Sequence, residues 1–235
     1  MPGPLDGRLA LVTGASRGIG AATASALAAA GAHVVLVART AAALEEVEDA
    51  IHAGGGTATI APLDLIDGDS IGRLASAIGE RWSALDVLVL NAATLGTLTP
   101  VADIDAKEFA RVLTLNVGAS QAMIAAFDPM LKRSDRAAVI GVTSSVGAAP
   151  RAYWGAYGAS KAGFDTLLGA YAEETASVSA VRVAIVDPGA TATAMRARAF
   201  PGEDQAALKT PESVAARIVA LAVDGFDTGA RVRVD

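Results

Sequence analysis

Residues 13–20 read TGASRGIG and follow directly on the apolar run LALVT at 9–13. Gly14, Gly18 and Gly20 are spaced four and two apart, and an alanine-rich helical pattern begins without a break. The spacing has a physical purpose. The chain leaving a strand must turn sharply, bring its backbone close to a charged ligand, and pack a new helix tightly on the sheet. The first turn of that helix directs unpaired N–H groups and a positive dipole end at the loop, which suits phosphate. Strand, glycine turn and helix in this order mark a nucleotide-binding unit.

The same alternation runs outward along the chain. Short β-branched runs predict strands at 9–13, 34–37, 57–63, 86–91, 137–142, 181–186 and 231–234. Alanine-rich periodic stretches predict helices at 19–30, 41–53, 70–82, 105–132, 157–177 and 211–223. The strands carry few internal charges, as strands covered on both faces do. This predicts an α/β, doubly wound fold: a seven-stranded parallel sheet with helices on both faces. The 235 residues fit one domain, 1–235. The one long connection, 188–210, is expected to carry a substrate loop at about 190–210.

Composition narrows the function classes. The chain has no cysteine, which excludes disulfides, thiolate metal sites and cysteine nucleophiles. Its two histidines, His33 and His52, stand far apart and read as structural, so no metal is expected. The net charge is −6 with acids and bases interspersed, which disfavours nucleic-acid binding. The N-terminal MPGPLDGR lacks the apolar core of a signal peptide. Residues 21–38 hold no acid, Lys or Arg, but their texture changes at Gly31 from helical to β-branched, so a helix followed by a buried strand is expected in place of a membrane span. A cytoplasmic location is the default expectation, with no membrane partner.

The glycine loop resembles the TGxxxGxG loop of short-chain dehydrogenases/reductases, and the resemblance extends over nearly the whole chain. It implies a Rossmann fold and an NAD(P)-dependent oxidoreductase. Relatives that prefer NAD place an acid after the second strand to hold the ribose 2′-hydroxyl; here Ala38 stands at that place, Arg39 follows, and Arg17 lies in the loop. Two guanidinium groups suit a 2′-phosphate, so NADP(H) is expected over NAD(H). Asp64 matches the family's adenine-contacting acid. In LNAATLG, Asn91 and Ala92 match the family's NNAG, with Asn91 bracing the sheet, while Leu90 and Ala93 depart from it. In DPGATAT, Pro188, Gly189 and Thr193 match the turn and threonine that meet the cofactor, and Asp187 replaces the common Asn. The resemblance thus implies cofactor contacts from Gly14, Ser16, Arg17, Gly18, Ile19, Gly20, Arg39, Asp64, Leu65, Asn91, Ala92, Tyr157, Lys161, Pro188, Gly189, Thr191 and Thr193.

Tyr157 and Lys161 form Y-x-x-x-K at the start of a helical stretch, which puts them on one face a turn apart. A carbonyl that receives a hydride must also receive a proton, and a phenol with an ordinary pKa of about 10 is a weak base. Lowering that value by two or three units takes roughly 3–4 kcal/mol. An ammonium about 4–5 Å away supplies energy of that order at an effective dielectric near 20. The sequence therefore predicts that Lys161 lowers the pKa of Tyr157. Ser144 lies thirteen residues before Tyr157 and is preferred to Ser145, because its offsets to Tyr157 and Gly147 are the family's. The resemblance assigns Ser144 a hydrogen bond to the substrate oxygen and Asn116 a water held against the lysine.

The substrate is expected to be a small carbonyl or alcohol held by 94–98, 146–154 and 195–208, with Tyr153, Trp154, Met195 and Phe200 making the lining partly apolar. Arg151, Arg196 and Arg198 either meet an anionic group or stand solvated, and solvation is the default for such arginines. RAYWGAYGASK at 151–161 and the stretch 191–211 resemble the YciK-like bacterial oxidoreductases within the family. The family also implies assembly as a homodimer or homotetramer. The competing reading is a catalytically silent NADPH-binding sensor or scaffold, whose expected mark, a damaged catalytic set, is missing here: Asn116, Ser144, Tyr157 and Lys161 are all present.

Overall fold

A computed structural model describes residues 3–235. Seven strands form one sheet: β1 (Leu9–Thr13), β2 (His33–Ala38), β3 (Thr57–Pro62), β4 (Val87–Leu90), β5 (Ala138–Val142), β6 (Arg182–Asp187) and β7 (Ala230–Arg233). Their order is β3-β2-β1-β4-β5-β6-β7 and every neighbouring pair is parallel. The chain winds from β1 outward to β3, then returns to the other side of β1 as β4. This reversal leaves a crevice above the carboxyl ends of β1 and β4, where doubly wound sheets bind ligands.

The five inner strands are buried on both faces, their successive side chains pointing to opposite sides, while the edge strands β3 and β7 are partly exposed. Leu9, Leu11, Val35, Val37, Leu88 and Val139 feed one core together with Met123, Phe127, Phe164 and Leu168. The intervening Ala10, Val12, Val34, Leu36, Val89 and Ile140 feed the opposite core with Leu27, Leu44, Val214 and Ile218. The helices that supply these residues are α1 (Gly18–Ala29), α2 (Ala41–Ala53) and α9 (Pro211–Asp224) on one side. On the other lie α3 (Gly68–Gly79), α4 (Ala106–Leu113), α5 (Ala119–Leu131) and α7 (Gly155–Thr175). Two short helices, α6 (Ser145–Ala148) and α8 (Ala194–Ala199), follow β5 and β6. Gly141 in β5 lets α7 come close, since a Cβ there would stand 2.1 Å from Leu168 Cδ1.

Three expectations are corrected. The helix predicted over 105–132 is broken by a π-helical turn at Thr114–Gly118, an insertion that hydrophobic periodicity does not reveal and that tends to occur where a side chain is presented to a site. The connection 188–210 is not a plain loop: it holds α8 and a 3₁₀ turn at Gln205–Ala207. Helix α6 was not expected, being only four residues long. The uncharged stretch 21–38 is divided between α1 and β2, and no helix among the described residues is long and apolar enough to cross a membrane. No group of metal-binding side chains occurs among them either.

Candidate active site

A cleft of about 710 Å³ runs along the carboxyl ends of the strands. Of the catalytic and cofactor-contacting residues singled out from the sequence, all but Gly20 and Asn116 line it. Those two stand behind it and shape it. A Cβ on Gly20 would lie 2.1 Å from the Gly14 carbonyl oxygen and 2.6 Å from Asn91 Nδ2, so α1 can begin here only with glycine. Gly14 and Gly18 have φ of 67° and 55°, in the left-handed region that favours glycine. Across the cleft from Gly18 stands Thr193, whose Cγ2 would be 3.5 Å from an added Cβ. The loop is a cradle that any side chain would begin to fill.

The ends of β1 and β4 are tied together by Thr13 and Asn91. The Thr13 hydroxyl donates to the Val89 carbonyl at 3.1 Å and accepts the backbone N–H groups of Asn91 and Ala92 at 2.9 and 3.1 Å. Asn91 Nδ2 donates to the carbonyls of Thr13 at 2.9 Å and Gly14 at 3.3 Å. The bracing expected of Asn91 is what the structure contains, and Leu90, buried in the sheet, does not disturb it. Thr13 escaped the sequence reading because only the glycines of TGASRGIG carry an obvious conformational signal.

At the far end of the cleft, Arg17 and Arg39 are exposed, and neither guanidinium has an acidic or hydrogen-bond partner among the described residues. Asp64 is exposed beside them, with its Oδ1 accepting the Ile66 N–H at 3.1 Å, while Leu65 is buried. On the near side, Thr193 caps α8 by accepting the Arg196 N–H at 3.1 Å, and the Thr191 hydroxyl donates to the Pro188 carbonyl at 3.0 Å. The Asp187 carboxylate accepts the Gly189 N–H at 3.0 Å and so shapes the turn after β6.

Tyr157 and Lys161 occupy the first turns of α7, 7% and 3% exposed. The Lys161 ammonium donates to the Val142 carbonyl at 2.8 Å and lies 5.8 Å from the centroid of the Tyr157 ring. Its effect on the phenol differs from the expectation. Burial pushes the Tyr157 pKa well above its ordinary value, and the Asp187 carboxylate pushes it further. Burial also lowers the Lys161 pKa to about 8, against an opposing pull from Asp165. Desolvation dominates the phenol, and the ammonium that was expected to lower it is directed at the Val142 carbonyl.

Ser144, two residues past β5, is extended, immediately precedes α6 and lines the cleft, whereas Ser145 begins α6 and does not. Gly147 lets α6 press on α7, since a Cβ would come within 3.0 Å of the Lys161 carbonyl carbon. Next to Ser144, the Thr143 hydroxyl donates to Asp165, which also accepts from Arg231 Nη1 at 2.9 Å. The end of β5 is thereby fastened to α7, a tie the sequence reading missed.

Asn116, 1% exposed, is set in the π-helical turn. Its Oδ1 accepts the Thr94 N–H at 2.8 Å, and its Nδ2 donates to the Thr94 carbonyl and to Ser160 Oγ, each at 2.9 Å. Ser160 Oγ donates in turn to the Tyr157 carbonyl at 2.7 Å. Both amide hydrogens are committed, so a water held against Lys161 would meet only the oxygens of this residue. It joins the segment after β4 to the turn that presents Tyr157.

The substrate end is walled by an apolar cluster of Leu95, Val146 and Tyr157, packed against Leu98, Trp154, Met195 and Ala199. Trp154 meets Tyr157 edge-on at 6.0 Å and Phe200 at 5.6 Å between centroids. Phe200 supports Trp154 from outside the cleft, and Tyr153 turns away into solvent, 59% exposed. Arg196 is paired with Glu203 at 2.5 Å.

A doubly wound sheet with a glycine turn at its switch point and a buried Tyr–Lys pair facing the same cleft defines a Rossmann-type oxidoreductase. The family model for short chain dehydrogenases matches residues 8–204, and the chain belongs to that family. It is 36% identical over 213 residues to the uncharacterized oxidoreductase YciK of Escherichia coli K12, covering 89% of this chain and 84% of that one. A solved Pseudomonas syringae structure, called a short chain dehydrogenase, is 39% identical with a TM-score of 0.96, covering 100% of this chain and 97% of that one. A Shigella flexneri 2a short chain dehydrogenase, solved in complex with NADP, is 34% identical with a TM-score of 0.95, covering 100% and 99%. Other curated relatives are longer, and the chain spans about half their length.

Proposed function

We propose that the protein is an NADP(H)-dependent oxidoreductase that interconverts a carbonyl and an alcohol on a small substrate. The carrying observation is the placement of Tyr157, Lys161 and Ser144 on one cleft whose other end is the glycine cradle. That cradle, where Gly14 and Gly18 line the cleft in left-handed conformation, fits a dinucleotide's phosphates, and the N-terminus of α1 adds its dipole. Arg17 and Arg39, both without acidic partners, would hold a 2′-phosphate, and Ala38 leaves no carboxylate to repel it. Binding of NADP by the Shigella flexneri relative supports the assignment. Pro188, Gly189, Thr191 and Thr193 would bound the cofactor on the β6 side.

When bound, the nicotinamide supplies or takes the hydride. The chain's own residues handle the oxygen and its proton. Ser144 Oγ donates a hydrogen bond to the substrate oxygen and favours charge developing there. The Tyr157 hydroxyl delivers its proton to that oxygen during reduction and takes it back during oxidation. A phenol is protonated at neutral pH, the state reduction needs, and burial favours that state further. Lys161 holds positive charge beneath it, anchored on Val142. Asn116 acts through backbone: it fixes Thr94 and, by way of Ser160, the turn bearing Tyr157. Leu95, Trp154 and Met195 exclude water from the reacting centre.

The test is NADPH consumption over a panel of ketones, aldehydes and 3-oxoacyl thioesters, with NADH in parallel. The proposal expects turnover with NADPH, and a KM for NADPH raised about 10–100-fold in Arg17→Ala/Arg39→Ala, the value of a lost charge-assisted pair. A preference for NADH would refute the roles of both arginines. NADPH binding without turnover on any carbonyl would favour the sensor reading.

A further inference from the structure

The charges around the cleft are lopsided. Its lining includes Arg17, Arg39, Lys161, Arg196 and Arg198 but only one acid, Asp64, in a chain whose net charge is −6. Arg17, Arg39 and Asp64 lie at the nucleotide end, and Lys161 is fastened to Val142. At the substrate end, Arg196 is neutralised by Glu203 through two hydrogen bonds, 2.6 and 2.5 Å. Arg198 is not: its only hydrogen bond runs from Nη2 to the Gly96 carbonyl, and it has no acidic partner among the described residues. A guanidinium carries five N–H donors, so most of this one's capacity is open. Arg151, also without an acid, lies over the Trp154 and Phe200 rings, 5.6 and 5.9 Å from their centroids, and adds positive potential on that side.

The spacing of chemistry matters as much as the charge. Gly96, to which Arg198 is tied, follows Leu95, and Leu95 packs in one cluster with Tyr157, Trp154, Met195 and Ala199. A ligand with its reacting oxygen at Tyr157 therefore lies first along an apolar wall and then meets a cation. Resting on the oxidoreductase reading above, we propose that the substrate is an amphiphilic anion: an apolar oxo or hydroxy compound whose carboxylate, distant from the reacting carbon, is held by Arg198. Arg198 is then the residue that selects charge, while the apolar wall selects shape. The excess of positive charge also draws such an anion into the cleft against the protein's overall negative field.

The test is calorimetric titration of the NADP⁺-loaded protein with 4-phenylbutyrate, cyclohexanecarboxylate and octanoate, each beside its primary amide. Loading with cofactor keeps Arg17 and Arg39 out of the comparison. At least one acid is expected to bind about tenfold or more tighter than its amide, the value of one charge-assisted hydrogen bond pair. The ratio should shrink as NaCl rises from 0.05 to 0.5 M and approach one in Arg198→Gln. Acids binding no tighter than amides, or an advantage that survives Arg198→Gln, would overturn the proposal. If Arg198 only latches α8 to the Gly96 segment, the substitution weakens acid and amide in proportion and the ratio holds, which also overturns it. Failure of the cofactor to bind at all would sink the oxidoreductase reading, whereas cofactor binding with no acid preference would sink only this inference.

Discussion

Lys161 places a buried ammonium 2.8 Å from the carbonyl of Val142, so the helix that bears Tyr157 is bonded to the last residue of the strand that leads to Ser144. The contact keeps Tyr157 and Ser144 in fixed relation, and it leaves the lysine with little water.

This burial has a measurable consequence for stability. The folded pKa of Lys161 is about 8, against an ordinary 10.5. Below pH 8 both folded and unfolded chains hold the proton, and the folded state bears the whole penalty of a buried cation. Between pH 8 and 10.5 the folded chain releases the proton while the unfolded chain keeps it, so stability rises with pH across that window. The lysine's share of the rise is about 3 kcal/mol. Lys161→Met removes the group, and its stability advantage over the parent should be largest at pH 7 and shrink toward pH 10.5 in urea denaturation of the cofactor-free protein. A difference independent of pH would contradict the assigned burial.

Asn116 satisfies both polar groups of Thr94 from inside the fold. Replacing it with alanine leaves that N–H and C=O, at the half-buried wall of the cleft, and the fully buried Ser160 hydroxyl short of partners. The expected loss is about 1–3 kcal/mol, the cost of one unsatisfied buried group. Asn116→Asp should recover the bond from the Thr94 N–H but not the donations to Thr94 and Ser160. Denaturation midpoints in the order parent, aspartate, alanine would agree with this; an alanine variant as stable as the parent would not.

Gly20 and Gly72 make a matched pair of helical glycines. A Cβ on Gly20 meets backbone oxygen at 2.1 Å, whereas one on Gly72, in α3, meets nothing within 4 Å. Gly20→Ala should displace the Gly14 loop and lower NADPH affinity by tenfold or more, read by fluorescence titration. Gly72→Ala should stabilise the protein by about 0.4–1 kcal/mol, since alanine is the better helix former. Equal effects at the two positions would show that close approach is not what Gly20 provides.

The sequence made much of the fold legible because β1, β2, β4 and β5 are uncharged apolar runs and the turn after β1 is punctuated by glycine. Tyr157 and Lys161 were legible through spacing, since four residues on a helix fix a common face, and Ser144 through the offsets it shares with the family. What stayed hidden depends on tertiary contact. The π-helical turn around Asn116 adds a residue to a helix without altering its composition. The bonds of Thr13, Ser160 and Asp165 join residues 78, 44 and 66 positions away from their partners in sequence. The burial that raises the Tyr157 pKa in the cofactor-free cleft was not legible either, because spacing shows that an ammonium is near but not that it faces a carbonyl in a dry interior.

The central claim is that Tyr157 is the proton donor to the reacting oxygen. Tyr157→Phe removes one hydroxyl from a ring held by Trp154 and the apolar wall, so the fold and the cleft should survive. The direct measurement is carbonyl reduction by this variant, followed as NADPH consumption on whichever substrate the parent turns over, with NADPH affinity titrated in the same preparation. The account predicts affinity within about twofold of the parent, as expected for a contact not aimed at the cofactor phosphates, and turnover lowered at least 10²–10⁴-fold, the usual loss of a general acid. Turnover close to the parent's, with NADPH still bound, would contradict it.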